Sequence, residues 1–192
     1  MIKFSIPLAT LKAAVICSAK KDVRHYLQGV AIDQGHVVST DGHRMFYAEV
    51  EGLDAKLQQV IIPRDAIEFL AKKATGIKDL KKLVKVTLDG LDGTLEVLGT
   101  DINERFRAFD NKFPAWQRVI PKEKGDVYKG DYPTFDWKYL VDFQKIAKTL
   151  GDKSLVPQVK VTPTVGPSSA AHIDFLSTEI KNVRAVLMPL RA

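Results

Sequence analysis

The sequence repeats one local order three times, and this repeat limits the possible folds more than any other feature. In each copy an apolar, strand-like run that ends in Pro is followed by a segment with helical spacing and then by three more strand-like runs. The copies begin at IKFSIP (2–7), QQVIIP (58–63) and, most weakly, GDYP (130–133). Proline suits these positions because its fixed φ and missing N–H match the first turn of a helix. The repeat therefore predicts three βαβββ units in an α+β fold.

Each unit is predicted to contribute one helix, and these helices span about residues 8–19, 64–74 and 136–150. Three strands are predicted after each helix. They are YLQGVAID, HVVSTD and RMFYAEVE in the first unit, LVKVTLD, TLEVLGT and ERFRAFD in the second, and VPQVKVTP, AAHIDFLS and VRAVLMPL in the third.

A proline-containing segment, DNKFPAWQRVIPKEKGD (110–126), separates the second unit from the third. It combines exposed-looking charges with two large apolar residues, Phe113 and Trp116, which is typical of a linker pinned to a surface. We therefore predict a complete domain of two units over 1–112, a linker over 113–127 and a half domain of one unit over 128–192.

Reactive-looking residues meet in STDGHRMF (39–46), and GTDINERF (99–106) lies at the same strand junction of the second unit. Asp-Gly between two strands indicates a hairpin turn in which both residues adopt positive φ. The alternative is a hydrolase that uses Asp41 and His43. No nucleophile elbow, metal-ligand spacing or phosphate-binding glycine loop accompanies them, so the turn is preferred and no enzyme activity, metal or cofactor is expected.

Composition favours a globular protein that binds a polyanion. The net charge of +6 raises the expectation of nucleic acid as a partner. The single Cys17 lies in the apolar run LKAAVICSA, where a buried, inert thiol is expected and no disulfide can form within the chain. No signal-like or membrane-spanning run is found, so a cytoplasmic location is expected.

Basic residues accompany all three predicted helices. Lys138, Lys145 and Lys148 share a face of the third helix that is separate from its apolar stripe. The other cations are Lys20, Lys21 and Arg24 at and after the end of the first helix, and Arg64, Lys72 and Lys73 on the second. Lysine ammonium groups meet phosphates without a fixed geometry, so these faces suit non-specific contact with duplex DNA, and a merely solvated surface is the alternative. His25 and Tyr26 are candidates for stacking on bases.

Six motifs in one order resemble the bacterial sliding clamp, the β subunit of the replicative DNA polymerase. They are FSIPLATLK, DVRHYLQGV, STDGHRM, IIPRDAIEFL, FPAWQRVIP and VLMPLRA. The resemblance is dense over 1–121 and 183–192 and matches the central domain and the C-terminal end of the family. It implies the DNA-clamp fold, in which helices on one face of antiparallel sheets line a hole for duplex DNA. It also implies a processivity factor that is not an enzyme.

The same resemblance implies a groove for short peptide motifs of DNA polymerase, the clamp loader or repair proteins. The matching residues are Leu27, Thr40, Gly42, His43, Arg44, Met45, Pro114, Arg118, Val119, Val186, Met188, Pro189, Leu190 and Arg191. Met and Leu provide an adaptable apolar surface, and Arg and His at its edge supply hydrogen bonds.

The chain departs from the family in its number of units, three where the family has six. Family clamps close as dimers, so a ring of twelve units would need four of these chains, with the odd unit of one chain pairing with that of another across a two-fold axis. An unpaired third unit would expose a sheet edge and favour self-association. A homo-oligomer is therefore expected. The alternative is a clamp mimic that forms no ring and competes for clamp-binding peptides.

Overall fold

The structure is a computed structural model of the 192-residue chain and describes residues 1–121 and 131–190. The strands are β1 (Ile2–Pro7), β2 (Gly29–Asp33), β3 (His36–Thr40), β4 (Arg44–Glu49), β5 (Val60–Pro63), β6 (Leu83–Asp89), β7 (Asp92–Val97), β8 (Asn103–Arg107), β9 (Val159–Thr162), β10 (Ala171–Phe175) and β11 (Val183–Leu187). The α-helices are α1 (Leu8–Cys17), α2 (Arg64–Lys73) and α3 (Trp137–Thr149), and short 3-10 helices span His25–Gln28 and Trp116–Val119.

The strands form two antiparallel sheets. The four-stranded sheet has the order β1-β6-β7-β8, and the seven-stranded sheet has the order β5-β2-β3-β4-β11-β10-β9. The pairing of β4 with β11 joins the first unit to the third, so the two parts of the predicted domain division share one sheet. The predicted boundaries themselves stay a prediction. In space the units follow the order second, first, third.

The first strand of each of the first two units pairs with the other unit. β1 pairs with β6, and β5 pairs with β2, so the two units exchange strands. Within the described residues no strand forms over 131–135, although GDYP (130–133) was predicted to supply one; Gly130 of this run lies outside the described residues.

The three helices pack on one face of the sheets, as predicted, and α1 lies between α2 and α3. The core at this face includes Leu11, Phe46 and Phe143, all fully buried, and a fully buried side chain of this kind contributes about 1.5–3 kcal/mol. Lys12 is the one charged residue of α1, and its Nζ donates to Ala74 O at 3.1 Å, just past the end of α2. Across residues 1–121 and 131–190, no helix is long and apolar enough to cross a membrane.

Two arginines from other elements satisfy the carboxyl end of α1, which has no basic residue in its own last turn. Arg64 Nη1 donates to Val15 O and Ser18 O, both at 2.7 Å. Arg44 Nη2 donates to Ile16 O at 2.9 Å. Cations are favourable at the carboxyl end of a helix, where carbonyl groups lack helical partners, so α1 is fixed from both neighbouring sides.

Candidate functional site

The outer face of the seven-stranded sheet, on the side away from the helices, carries a second apolar cluster. Because side chains alternate along a strand, Met45 and Tyr47 lie on this face while Phe46 packs against the helices. The buried members of this outer cluster are Ala19, Leu27, Ala31, Val38, Met45, Tyr47, Ile61, Phe113, Trp116 and Val186. Such a face is unfavourable in water unless another segment covers it.

The cover is residues 109–121, which we call the strap. Phe109 N–H donates to Ile61 O at 3.1 Å, and the indole N–H of Trp116 donates to the Asp33 carboxylate at 2.9 Å. Further contacts are a 2.7 Å hydrogen bond from Phe113 N–H to Gln59 Oε1 and a 2.8 Å contact between His172 Nε2 and Pro121 O. Phe113 and Trp116 are buried, as the interpretation of this segment as a linker pinned to a surface requires.

Three of the residues implied by the resemblance form one row across the outer face. The β3–β4 register aligns Thr40 with Met45, and the β4–β11 register aligns Met45 with Val186. Met45 and Val186 are each 2% exposed, and Leu27, also 2% exposed, packs in the same cluster. These buried side chains form a continuous apolar row where the first and third units meet.

Two exposed apolar residues of the predicted groove come from the strap and from the segment after β11. Val119 is 49% exposed and Leu190 is 52% exposed. Met188 N–H donates to His43 O at 2.9 Å and Leu190 N–H donates to Thr134 O at 2.7 Å, so this tail is held beside the β3–β4 turn. Pro114 and Arg118 of the strap are exposed, Pro189 is half-buried, and Arg191 lies outside the described residues.

Side-chain hydrogen bonds shape the turn between β3 and β4. Gly42 has a φ of 89°, whereas Asp41 does not have a positive φ, so the prediction that both residues would adopt it is wrong for Asp41. Asp41 Oδ1 instead accepts the N–H groups of His43 at 3.0 Å and Arg44 at 3.1 Å. An Asx turn of this kind needs a single glycine.

The repeat extends to the chemistry of this turn. Thr40 Oγ1 accepts the N–H of Gly42 at 3.0 Å, and in the matching β7–β8 loop Thr100 Oγ1 accepts the N–H of Ile102 at 3.2 Å. The threonines of STDGHRMF and GTDINERF therefore have the same structural role.

Asp41 and His43 do not form an acid–base pair. The Asp41 carboxylate bonds backbone N–H groups, and the His43 ring stacks on Tyr139 with centroids 5.9 Å apart and planes inclined by 17°. Within the described part of the chain, no group of three or more His, Cys, Asp or Glu residues could hold a metal ion. This stretch leads from the outer face of the sheet to α3.

Arg44 lies on the face of the sheet opposite to Met45. It is 8% exposed, its Nη1 donates to Asp142 Oδ2 at 2.6 Å, and its Nη2 donates to Ile16 O. Its other neighbours are Asp41 Oδ2, 3.3 Å from Nε, and the Tyr139 ring, whose centroid is 4.8 Å from Cζ. Consecutive strand residues point to opposite faces, and Arg44 ties β4 to α1 and α3. Its role at the edge of a peptide groove stays a prediction.

The Asp142 carboxylate receives two cations. Burial alone would raise the pKa of Asp142, but hydrogen bonds from Lys145 and Arg44 outweigh this effect and hold the pKa below its usual range. The nearby Cys17 is fully buried, and burial raises the pKa of its thiol to about 12. The thiol therefore stays protonated, and the expectation of a buried, inert cysteine is confirmed.

The exposed face of α3 carries the three lysines found from the sequence. Lys138 pairs with Asp136 at 2.9 Å and Lys145 pairs with Asp142 at 2.7 Å, while both lysine side chains remain more than 60% exposed, at 65% and 62%. Lys148 is exposed at the end of the same face. Exposed ion pairs contribute little to stability, so these ammonium groups remain available to a competing anion such as phosphate.

Cations are also exposed on α2, whereas α1 offers no basic face because it is almost wholly buried. Lys73 pairs with Glu104 at 2.6 Å, and Lys72 Nζ lies 5.3 Å from the centroid of the Phe69 ring. The helical surface is therefore basic on both sides of α1.

The remaining predicted contacts to DNA lie in the segment after α1. Lys20 and Lys21 are exposed, and Arg24 pairs with Asp22 at 2.9 Å. Tyr26 is half-buried and packs against the outer cluster, on the side of the sheet away from the helices, and its stacking on bases stays a prediction.

The comparisons with known proteins agree with the resemblance. No model of a known protein family matches the chain. The chain is 34% identical over 123 residues to the beta sliding clamp of Pseudomonas putida and 28% identical over 149 residues to that of Pseudomonas aeruginosa. A solved DNA polymerase sliding clamp from Pseudomonas aeruginosa superimposes with a TM-score of 0.72 at 19% identity and covers 100% of this chain and 66% of that one.

These matches confirm the clamp fold and the relationship in sequence. They include 59% and 68% of this chain, but the chain spans only 31% and 37% of the length of the two curated relatives. The aligned part of the chain therefore corresponds to about a third of a longer relative.

Proposed function

We propose that this chain, which has the sliding-clamp fold and is related in sequence to bacterial β sliding clamps, is a compact, non-enzymatic clamp. It holds duplex DNA without reading its sequence and recruits a DNA polymerase or another partner through a peptide groove. The observation that carries the proposal is the apolar row of Met45 and Val186, with the tail fixed beside it by the bond from Met188 to His43. We place this activity in the cytoplasm.

The groove is suited to a short peptide with aliphatic or aromatic anchors. Leu27, Met45 and Val186 supply a floor that is apolar and partly flexible, since Met adapts to anchors of different shape. Val119 and Leu190 supply exposed apolar contacts, and Arg118 is an exposed cation on the strap. Short motifs from a DNA polymerase, a clamp loader or repair proteins are partners of this chemistry.

Leu190→Asp is expected to weaken peptide binding by about ten-fold or more, because it removes an apolar contact and places a carboxylate where a peptide anchor would be desolvated. The measurement is fluorescence anisotropy with a labelled clamp-binding peptide from a bacterial replicative polymerase. Leu176→Asp is the matched control: Leu176 is 53% exposed, against 52% for Leu190, and follows β10 at the opposite end of the β10–β11 pair. Equal affinity of both variants and the wild type would contradict a groove at this position.

The helical face is suited to the phosphates of a duplex. The exposed lysines of α2 and α3 lie on the same side of the sheets, and most of their ion pairs are exposed and replaceable. Contacts of this kind give weak, salt-sensitive binding that depends on charge and not on base sequence, which is what a sliding protein requires.

Four chains would supply the twelve units of a closed ring. In the described residues β9 is the last strand of the seven-stranded sheet, and it lacks the exchanged strand that β2 and β6 each receive. A free edge of this kind favours pairing with a second copy. The proposed ring thus completes the third unit with a neighbouring chain.

Light scattering is expected to give the mass of four chains, and the protein is expected to be retained on closed circular duplex DNA and released when the DNA is linearised. Retention that depends on closure identifies a topological link, which non-specific charge contacts alone do not produce. A stable monomer at micromolar concentration that binds the peptide and is not retained on circles would favour the adaptor that forms no ring.

A further inference from the structure

The exposed face of α3 contains a large aromatic residue in line with its lysines. Trp137 is 75% exposed, whereas the other tryptophan, Trp116, is 4% exposed and hydrogen-bonded. At helical spacing the solvent-exposed face contains Trp137, Lys138, Val141, Gln144, Lys145 and Lys148, opposite the buried Tyr139, Phe143, Ile146 and Ala147. Trp137 is therefore not part of the core, and its indole is presented on the proposed DNA-binding face.

Trp137 also lies at one end of that face, next to the groove. It begins α3, and two residues later the Tyr139 ring stacks on His43, whose carbonyl holds Met188 of the tail. The residue Thr134, just before the helix, accepts the N–H of Leu190. The start of α3 is thus close to the tail that borders the proposed groove.

An indole face recognises the face of a nucleobase. Base–aromatic stacking is tolerant of sequence, and lysines nearby neutralise the phosphates of the same strand. Base faces are covered by neighbouring bases inside a duplex, so an exposed Trp gains stacking only where bases are unpaired. The positive charge of Lys138, Lys145 and Lys148 favours nucleic acid over an apolar protein segment as the occupant.

We propose that Trp137 binds an unpaired base of single-stranded DNA, at the end of the α3 face that adjoins the groove. The site would hold the template strand where it leaves the duplex, at the junction that a recruited polymerase occupies. This inference rests on the proposed function and deepens it, because it names the form of DNA that the clamp distinguishes.

The test compares an oligodeoxythymidine strand, a blunt duplex and a primed template, each with a fluorescent label. Trp137→Ala is expected to weaken binding of the strand and the primed template by about five-fold or more and to change binding of the blunt duplex by less than about two-fold. Trp137→Phe retains an aromatic face and is expected to keep most of the affinity. Oligodeoxythymidine is also expected to quench the emission of Trp137, and this quenching is lost in the Phe variant.

The matched control is Phe69→Ala. Phe69 is 52% exposed beside Lys72 on α2, so it is an exposed aromatic residue next to a lysine, on the far side of α1 from Trp137. It is expected to leave the preference for single-stranded DNA unchanged. Equal loss from Phe69→Ala and Trp137→Ala would overturn the assignment of the site to Trp137.

Two further results separate failure of this inference from failure of the proposed function. Lys145→Ala combined with Lys148→Ala is expected to weaken all three DNA ligands and reduce the salt dependence, and unchanged duplex binding would reject the DNA-holding face itself. If this variant behaves as expected while Trp137→Ala binds all three ligands normally, or weakens only the labelled peptide, the inference about Trp137 is wrong and the clamp proposal stands.

Discussion

Arg44→Met is expected to lower the free energy of unfolding by about 3 kcal/mol, because it breaks a largely buried ion pair and leaves its partners without a cation. Arg44 bonds Asp142 on α3 at 2.6 Å and Ile16 O at the end of α1 at 2.9 Å. Methionine approximates the aliphatic part of the arginine side chain and replaces none of these bonds. The variant therefore separates the charge from the packing at the joint between the first and third units.

Urea denaturation followed by circular dichroism measures the change. Arg24→Met is the control, since Arg24 pairs with Asp22 at 2.9 Å on the surface, where loss of an ion pair leaves stability nearly unchanged. If both variants unfold at the same urea concentration as the wild type, Arg44 does not fix the joint.

The same pair makes the wild type sensitive to acid. Burial raises the pKa of Asp142, but the bonds from Lys145 and Arg44 more than offset this, so the pKa is lower in the folded chain than in the unfolded chain. The pair therefore stabilises the folded state fully at pH values above the usual pKa of a carboxyl group. This stabilisation disappears as the pH falls through the lowered pKa of the folded state. Asp142→Asn is expected to reduce this acid sensitivity.

Trp116→Ala is expected to lower the free energy of unfolding by about 3–5 kcal/mol, since truncation of a buried tryptophan leaves a large cavity. The indole also donates to Asp33 and packs beside Tyr47 and His36, at ring centroid distances of 5.7 and 5.0 Å. Loosening the strap at this point exposes the outer cluster and displaces Val119. Peptide affinity is therefore expected to fall together with stability.

Two further variants set the limits of the expected loss of stability. Trp116→Phe keeps most of the packing and loses the bond to Asp33, so a smaller loss of about 1–2 kcal/mol is expected. Gln117→Ala removes an exposed neighbour that donates to Gln34 and is expected to change stability by less than about 0.5 kcal/mol. Thermal and urea unfolding check these values, and a Trp116→Ala protein as stable as Gln117→Ala would mean that the strap is not anchored by its tryptophan.

The sequence predicts most of the fold because periodicity is strong wherever an element is buried on one side. The three helices begin within one residue of their predicted starts, and the strand runs lie where predicted apart from their ends. No strand forms over 131–133, the described part of GDYP, and the corresponding strands of the first two units each pair with the other unit, so a local pattern alone does not fix such a strand. Strand exchange between units leaves no mark in local periodicity.

The candidate site could be predicted only in part, because a motif names residues but does not specify the face of the sheet on which each side chain lies. Arg44 and Met45 are neighbours in one motif, and their side chains lie on opposite faces of β4. Trp137 was not recognised as exposed, since an aromatic residue at the start of a helix is equally compatible with the core. Trp137 and Tyr139 are two positions apart in the helix and therefore lie on different faces, one exposed and one buried. This spacing was the signal in the sequence that Trp137 lies outside the core.

The strand exchange between the first two units also governs how the protein can be dissected. A cut in the loop between β4 and β5 would deprive each half of the edge strand that the other provides, so neither half is a self-sufficient fragment. During synthesis β1 stays unpaired until β6, more than seventy-five residues later, has left the ribosome. The four-stranded sheet therefore cannot begin to form before β6 is available, whereas β2, β3, β4 and β5 can already pair with one another within the first 63 residues.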